Sequence, residues 1–229
     1  MKKRILSLVA ACSIFLSSTA FATSFNKSND DVIYGVALND QQRKIVDNAI
    51  GINTEDYNVG TVNGADLKKY LGYGTADSNM ISSVTVKRLP QGSGIKVNIK
   101  TPGNISQITE AQYTNAAITA GITDAEINVA SPKPVTGESA LVGVYKSNEF
   151  HGQEIDVERT KTAQEELKTV IEVAKENEGK DGFDSKELDK AVIEVKQRLA
   201  DYKEKNGETA SNDQIAIFIK DALNNVNTV

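Results

Sequence analysis

The feature that most constrains the fold of this 229-residue chain is a change in its hydrophobic pattern near residue 150. Before that point, segments with period-two alternation are interspersed with helix-like segments, a mixture typical of α/β or α+β layer structures. After it, apolar residues recur at three- and four-residue spacing, and one strong turn signal interrupts them at residues 179–182. The sequence therefore predicts an α/β domain over residues 32–150 and a helical C-terminal region over residues 151–229.

Local signals place strands and helices through the first region. Asn39 followed by Gln42, and Thr109 followed by Gln112, have the capping-box spacing that begins a helix. Gly121 stands where a glycine commonly ends the second of these helices. The predicted strands are residues 32–38, 59–62, 82–89, 94–101 and 126–130, and the predicted helices are residues 40–50, 64–71, 110–120 and 137–150.

The clearest local pattern is a predicted β-hairpin over residues 82–101. Apolar and polar residues alternate in residues 82–89 and again in residues 94–101, which indicates two strands with one buried face each. The turn signal Pro90-Gln91-Gly92-Ser93 joins the two segments. We therefore expect a small mixed sheet with this antiparallel hairpin at its centre and helices packed against it.

The C-terminal region has the periodicity of three amphipathic helices. Asp184 with Glu187, and Ser211 with Gln214, mark two of the helix starts. Acidic and basic residues such as Glu194 and Arg198 are interleaved at helical spacing, which is typical of solvated helix faces. Short connections then favour an antiparallel helical arrangement. The apolar positions are residues 163, 167, 170 and 174, then 188, 192, 195, 199 and 202, and finally 215, 219, 222 and 226.

The first 22 residues have the organisation of a secretory signal peptide. Three basic residues at positions 2–4 precede an apolar run over residues 5–16, which is too short to span a membrane. An A-x-A site ends at Ala22, so we expect cleavage before Thr23 and export of the mature chain. Residues 23–31 are polar and are predicted to be a disordered lead-in. No long apolar run follows, so no transmembrane span is expected in the mature chain.

The residues around Cys12 allow a second interpretation of the leader. Residues 8–12 resemble a lipobox, in which the cysteine becomes a lipidated N-terminus that holds the protein on a membrane. The apolar run nevertheless continues beyond Cys12, where a lipoprotein usually turns polar, and a complete A-x-A site follows. We therefore expect a secreted protein, with a lipid-anchored protein as the alternative.

The composition of the mature chain excludes several classes of chemistry. Loss of the leader removes three basic residues and leaves 23 basic against 31 acidic residues, a net charge of about −8. Nucleic acid is therefore not an expected partner, because no basic stripe is present to neutralise phosphates. Cys12 is the only cysteine, so the mature chain has no disulfide, thiolate catalysis or cysteine-ligated zinc. An exported protein without disulfides suits a Gram-positive bacterium.

Several ordered motifs resemble a known family. They are GVALNDQQ at residues 35–42, DLKKYLG at 66–72, ISSV at 81–84, GSGIKV at 92–97, YTNAAITAGI at 113–122 and VTGESAL at 135–141. Together they resemble the YpuA-like family of domains of unknown function, found in secreted proteins of low-GC Gram-positive bacteria. The resemblance covers about residues 30–150 and implies an organism class and a compartment. It implies no catalytic residue, because none is established for the family.

Candidate catalytic residues are few. His151 is the only histidine, so a Ser-His-Asp or multi-histidine zinc site lacks its usual partners, and we expect a surface residue at the junction of the two regions. Ser83 and Lys87 point to the same strand face, but the strand rise separates them by about 13 Å, which prevents a local Ser/Lys pair. Ser82 and Ser83 are therefore predicted to be polar residues at the start of a strand.

Two glycine-containing segments have alternative interpretations. Residues 92–94 could hold an anion on their backbone N–H groups, but their position between two alternating strands favours a hairpin turn. Residues 177–188 resemble a calcium-binding loop aligned on Gly182. Position 3 of that loop is Gly179 and position 12 is Leu188, so a ligand and the bidentate glutamate are missing. An interhelical turn is expected there, with weak and irregular calcium binding as the alternative.

These observations favour a non-catalytic, exported cell-envelope protein that binds another protein or a cell-wall component. No catalytic residue, metal ligand or cofactor is predicted, and the binding residues are not identified by the sequence. One alternative is a cell-wall hydrolase that uses carboxylates of the α/β domain. Another is a secreted stress or folding factor whose amphipathic helices hold unfolded chains.

Overall fold

The computed structural model describes residues 29–226, and these divide into two compact units, residues 29–161 and residues 162–226. The predictions made for Cys12, Ala22 and Thr23 lie outside the described residues, as does the lead-in up to residue 28.

The first unit is a five-stranded mixed sheet with helices on both faces, which confirms the predicted α/β class. The strand order is β2-β1-β3-β5-β4, with β1 parallel to β2 and antiparallel to β3. The elements are β1 (Asp31–Gly35), α1 (Asp40–Ile50), β2 (Asn58–Val62), α2 (Gly64–Leu71), β3 (Ser83–Arg88), β4 (Ile95–Ile99), α3 (Glu110–Thr119), β5 (Ala125–Ala130) and α4 (Glu138–Glu149).

The predicted hairpin is wrong in its pairing, although both of its strands exist. β5 lies between β3 and β4, where it runs antiparallel to β3 and parallel to β4. β5 is the more buried of the two strands, with Ile127 and Val129 completely buried, whereas every residue of β4 is at least partly exposed. Period-two alternation predicts which face of a strand is buried, but it does not identify the neighbouring strand.

Helices pack on both faces of the sheet. On the first face, Val46 of α1 packs against Val32 and Tyr34 of β1. On the opposite face, α4 crosses β1 and β3 with Gly143 at the closest approach. An ideal Cβ atom on Gly143 would lie 2.6 Å from Cγ1 of Val84, so only glycine allows α4 to lie this close to the sheet.

The helix starts and ends that were predicted from nearby residues are confirmed. Asn39 with Gln42 forms a capping box at α1, and Thr109 with Gln112 forms one at α3. Gly121 follows α3 with a φ angle of 80°, a conformation that favours glycine.

The second unit contains the predicted three amphipathic helices. Val170, Leu188 and Val192 form one apolar cluster, and a second cluster joins the two last helices through Val195 and Ile219. None of the described helices has the length and apolarity needed to cross a membrane. The helices are α5 (Val157–Asn177), which includes the boundary between the units, α6 (Ser185–Asn206) and α7 (Asn212–Val226).

Candidate functional site

His151 lies just beyond α4 and contacts the first residue of β1. Its Nε2 atom is 2.8 Å from Oδ2 of Asp31, and the other oxygen of that carboxyl group accepts a 3.0 Å hydrogen bond from Nδ2 of Asn58. The Asp31 side chain is completely buried, while 24% of the His151 side chain is exposed. When Asp31 is ionised, Nε2 of His151 donates to it and Nδ1 becomes the free ring nitrogen.

Burial and the neighbouring polar groups have opposite effects on the pKa of Asp31. Burial is the dominant cause and raises the pKa of Asp31 above its usual value. Hydrogen bonds from Asn58 and His151, and the positive charge of Arg88, partly oppose that rise. Burial likewise lowers the pKa of Arg88, and the charges of Asp31 and Asp30 counteract this change. The buried carboxyl group of Asp31 and the half-buried guanidinium group of Arg88 therefore partly compensate each other.

Asn148 holds the end of α4 in the position that His151 requires. Its side-chain oxygen accepts a 2.6 Å hydrogen bond from Nη2 of Arg88, and its side-chain nitrogen donates to the carbonyl of Ala120. Its backbone carbonyl accepts the N–H groups of His151 and Gln153, at 3.1 and 3.2 Å. Because Asn148 is buried and bonded on all sides, the turn that presents His151 is fixed to β3 and to the end of α3.

A cleft of about 450 Å³ lies beside His151. It is bordered by the end of β3, the turn after it, the segment that follows α3 and the segment that follows α4. The lining is mostly polar, and its two glutamine side chains are exposed. The lining residues are Arg88, Leu89, Gln91, Gly121, Ile122, Thr123, Asp124, His151 and Gln153.

A second cleft of about 450 Å³ adjoins the first, since Gln153 lines both. Lys69 and Glu149 lie on its border. Burial opposes the ionisation of Glu149, but hydrogen bonds from Lys69 and Tyr70 outweigh it and lower the pKa of Glu149. This carboxylate is therefore ionised and already bonded within the protein.

The turn over residues 92–94 does hold an anion, and that anion belongs to the chain itself. The backbone N–H of Gly94 donates a 2.8 Å hydrogen bond to Oδ1 of Asp124. This bond is the main reason that the pKa of Asp124 is lowered, and the N–H groups of Gly92 and Ser93 add to it. The concavity predicted as a possible anion cradle is thus occupied by Asp124, a residue that the sequence analysis did not select.

Of the serines singled out in the sequence, Ser82 holds α4 against the sheet and Ser83 joins β3 to the end of β1. Oγ of Ser82 accepts the N–H of Ala140 at 3.0 Å and lies 2.9 Å from Oγ of Ser139. Oγ of Ser83 accepts the N–H of Gly35 at 3.3 Å. Both serines are completely buried, whereas Lys87 is exposed, so no Ser/Lys pair forms.

The segment with calcium-loop spacing is a turn between α5 and α6. Its backbone closes through hydrogen bonds from Lys180 to Asn177 and from Phe183 to Lys180, at 3.0 and 3.1 Å. Asp184 caps α6 by accepting the N–H of Lys186 at 2.8 Å. Within residues 29–226, no group of three or more His, Cys, Asp or Glu side chains is placed to hold a metal ion.

Comparison with known proteins gives a family and a relative. A family model described as a protein of unknown function (DUF1002) matches residues 34–229. The chain is also 28% identical over 232 residues to the Uncharacterized protein YpuA of Bacillus subtilis (strain 168). That similarity covers 99% of this chain and 76% of the Bacillus protein. No solved structure matches the chain. The resemblance seen in the sequence motifs is confirmed.

Proposed function

The chain belongs to this family of proteins of unknown function, and we propose that it is an exported, non-catalytic envelope protein that binds its partner in the cleft beside His151. The partner is another protein or a component of the cell wall. The observation that carries the proposal is the lining of the cleft. The amides of Gln91 and Gln153 and the ring of His151 offer donors and acceptors around one concave surface.

The chemistry of the lining favours binding over catalysis. Asp31 is completely buried behind His151, so its carboxyl group does not reach a molecule in the cleft. The hydroxyl group of Thr123 donates to Oδ2 of Asp124 at 3.0 Å and is therefore engaged within the protein. The cleft offers hydrogen bonds for recognition, and the carboxylate beside its hydroxyl group is a weak base, because the hydrogen bond from the backbone of Gly94 lowers the pKa of Asp124.

One observation favours a second candidate, a hydrolase. A buried aspartate that orients a partly exposed histidine is the arrangement found where a histidine acts as a general base. In this alternative, Nδ1 of His151 would take a proton from an attacking water molecule. A pair of catalytic carboxylates receives less support, because the groups around Asp31 are Asn58, His151 and Arg88.

A role as a holdase for unfolded chains receives less support from the helical unit. Such a function needs a continuous exposed apolar surface. The apolar faces of α6 and α7 pack on each other through Val195, Ile215 and Ile219. Ile217 is the large apolar side chain of α7 that stays exposed.

The location outside the cytoplasm rests on the N-terminal sequence. The basic start, the short apolar run and the A-x-A site before Thr23 are the three parts of a signal peptide. A location outside the cytoplasm of a Gram-positive bacterium also agrees with the cysteine-free mature chain.

Site-specific photo-crosslinking tests the proposal. A photoreactive residue is placed at Gln153 in the cleft, and a control is placed at the exposed Lys44 of α1. The protein is expressed from residue 1, recovered after processing and irradiated with purified cell walls or envelope extract. We expect an adduct from position 153 that His151→Ala reduces, and no such adduct from position 44. Equal adducts at positions 153 and 44, or no adduct at either position, would contradict the proposed binding site.

A cell-wall clearing assay separates the two candidates. Purified wall material is incubated with the wild-type protein and with the His151→Ala and Gln153→Ala variants. Binding without clearing supports the proposed function. Clearing that is lost in His151→Ala and kept in Gln153→Ala establishes the hydrolase instead, because only the first change removes a base.

A further inference from the structure

The two edges of the sheet differ in how they are protected. The β4 edge carries Lys96, and the side chain of Glu110 accepts the N–H of Ile99 at 3.0 Å. Lysine residues and capped N–H groups are common devices that stop an edge strand from pairing with another chain. The β2 edge has neither device, since the segment Asn58–Val62 reads NVGTV, without charge or proline.

Within residues 29–226, the outer side of β2 has unpaired backbone groups at two positions. The N–H of Asn58 bonds to Asp30 and the carbonyl of Val62 accepts from Val36, so both ends of β2 turn their backbone toward β1. Because successive residues of a strand alternate, Val59 and Thr61 turn their N–H and C=O groups away from β1. Val59 is also 50% exposed. The edge is therefore open for pairing over two residues.

An exposed aromatic ring flanks the same edge. Phe150 lies directly over Gly60, since an ideal Cβ on this glycine would be 2.3 Å from Cζ of the ring. The ring nevertheless stays 44% exposed. A glycine in the middle of an edge strand, with a half-exposed ring above it, leaves apolar surface next to the open backbone groups.

We propose that β2 pairs with β2 of a second copy of this chain, antiparallel, across a twofold axis at Gly60. In this register Val59 forms a hydrogen-bonded pair with Thr61 of the partner subunit, and the reverse pair follows by symmetry. Gly60 faces Gly60 of the partner subunit as a close, non-hydrogen-bonded pair. The two Phe150 rings then lie beside each other over the axis and lose their exposure.

The sequence of the strand favours a second copy over a charged peptide. A twofold axis at Gly60 places Val59 opposite Thr61 of the partner subunit, so like charges at these two positions would repel each other across the pair. Asn58–Val62 has none, and Val59 and Thr61 are both β-branched, a side-chain type suited to cross-strand contact. A strongly charged ligand would find no complementary charge within Asn58–Val62.

Sedimentation of the purified protein, expressed from residue 1, tests the proposal. We expect a concentration-dependent dimer. In Val59→Lys/Thr61→Lys, lysines oppose each other in both pairs, and the dissociation constant should rise roughly 10-fold or more. In Val59→Lys/Thr61→Glu, the introduced charges are opposite in this register, so dimerisation should return. Circular dichroism checks that both variants are folded.

The outcomes separate this pairing from other arrangements. A wild-type protein that stays monomeric at all concentrations overturns the proposal. A dimer that persists in Val59→Lys/Thr61→Lys shows that another surface associates, which also overturns it. Phe150→Ala should weaken the dimer, while Gln153→Ala in the cleft should leave it unchanged, so the result does not depend on ligand binding at His151.

Discussion

The contact between Gly143 and the sheet predicts how strongly the position of α4 depends on one missing methyl group. In Gly143→Ala, the new Cβ would lie 2.6 Å from Cγ1 of Val84 and 3.3 Å from Cβ of Ile33. Both neighbours are completely buried, so neither can move into solvent. Overpacking of this kind costs about 1–3 kcal/mol, and alanine regains up to about 1 kcal/mol of helix propensity. We expect a net loss of about 1–2 kcal/mol.

Urea unfolding measures this loss. With an m-value of about 2 kcal/mol/M for a unit of this size, the midpoint should fall by roughly 0.5–1 M. The chain has seven tyrosines and no tryptophan, so tyrosine signals follow the transition. Gly103→Ala is the matched control, because nothing lies within 4 Å of its ideal Cβ and its φ angle is not positive. That variant should stay within about 0.5 kcal/mol of the wild type.

A double-mutant cycle tests the cause. Val84→Ala alone should cost roughly 2 kcal/mol, because it leaves a cavity at a buried position. If the clash with Cγ1 is responsible, the combination with Gly143→Ala should be at least about 1 kcal/mol more stable than the sum of the two single changes. Additivity within a few tenths of a kcal/mol, or a wild-type midpoint for Gly143→Ala, would refute the packing argument.

Three further predictions follow from charges and from the N-terminal sequence. Burial raises the pKa of Asp31, so protonation of this carboxyl group stabilises the folded state. This contribution to the free energy of unfolding is complete below about pH 3.8, and it is lost as the pH rises through the folded-state pKa. The stability of Asp31→Asn relative to the wild type should therefore improve between about pH 3 and pH 7 in urea unfolding, and a constant difference would contradict this. The pKa of Asp124 is lowered, so its contribution is present at neutral pH and is lost as the pH falls through the folded-state pKa. In Asp124→Asn, the backbone amide of Gly94 should exchange hydrogen faster at pH 7. Unchanged exchange would contradict a stabilising hydrogen bond between Gly94 and Asp124. The intact mass of the exported protein should correspond to a chain that begins at Thr23, whereas a diacylated chain beginning at Cys12 would contradict this.

Local sequence signals predicted the helices and the existence of the strands because their causes are local. The side chain of Gln42 bonds the backbone of Asn39 three residues away, so adjacent residues determine where α1 begins. The order of the strands depends instead on pairings between segments that are far apart in the sequence. β5 therefore displaced β4 from the side of β3, although the turn at Pro90 suggested a hairpin.

Local sequence signals could not predict the candidate site either, because its residues are far apart in the sequence. His151 and Asp31 are 120 residues apart, and their contact depends on where α4 ends and on the register of β1. The polar residues 23–31 predicted a disordered lead-in that includes Asp31, and this prediction is wrong for Asp31, which begins β1. It is buried because Asn58, Arg88 and His151 surround it. No spacing in the sequence connects these four residues.

The position of α4 connects the two surfaces for which we propose functions. Phe150 and His151 are consecutive, yet one covers Gly60 at the sheet edge and the other bonds Asp31 beside the cleft. Since both residues follow α4 directly, a change in how the helix lies on the sheet must move them together. Gly143 sets that distance from the middle of the helix. An effect of Gly143→Ala on both crosslinking at the cleft and dimerisation would therefore have one physical cause, whereas Gln153→Ala and Val59→Lys/Thr61→Lys should each affect one surface alone.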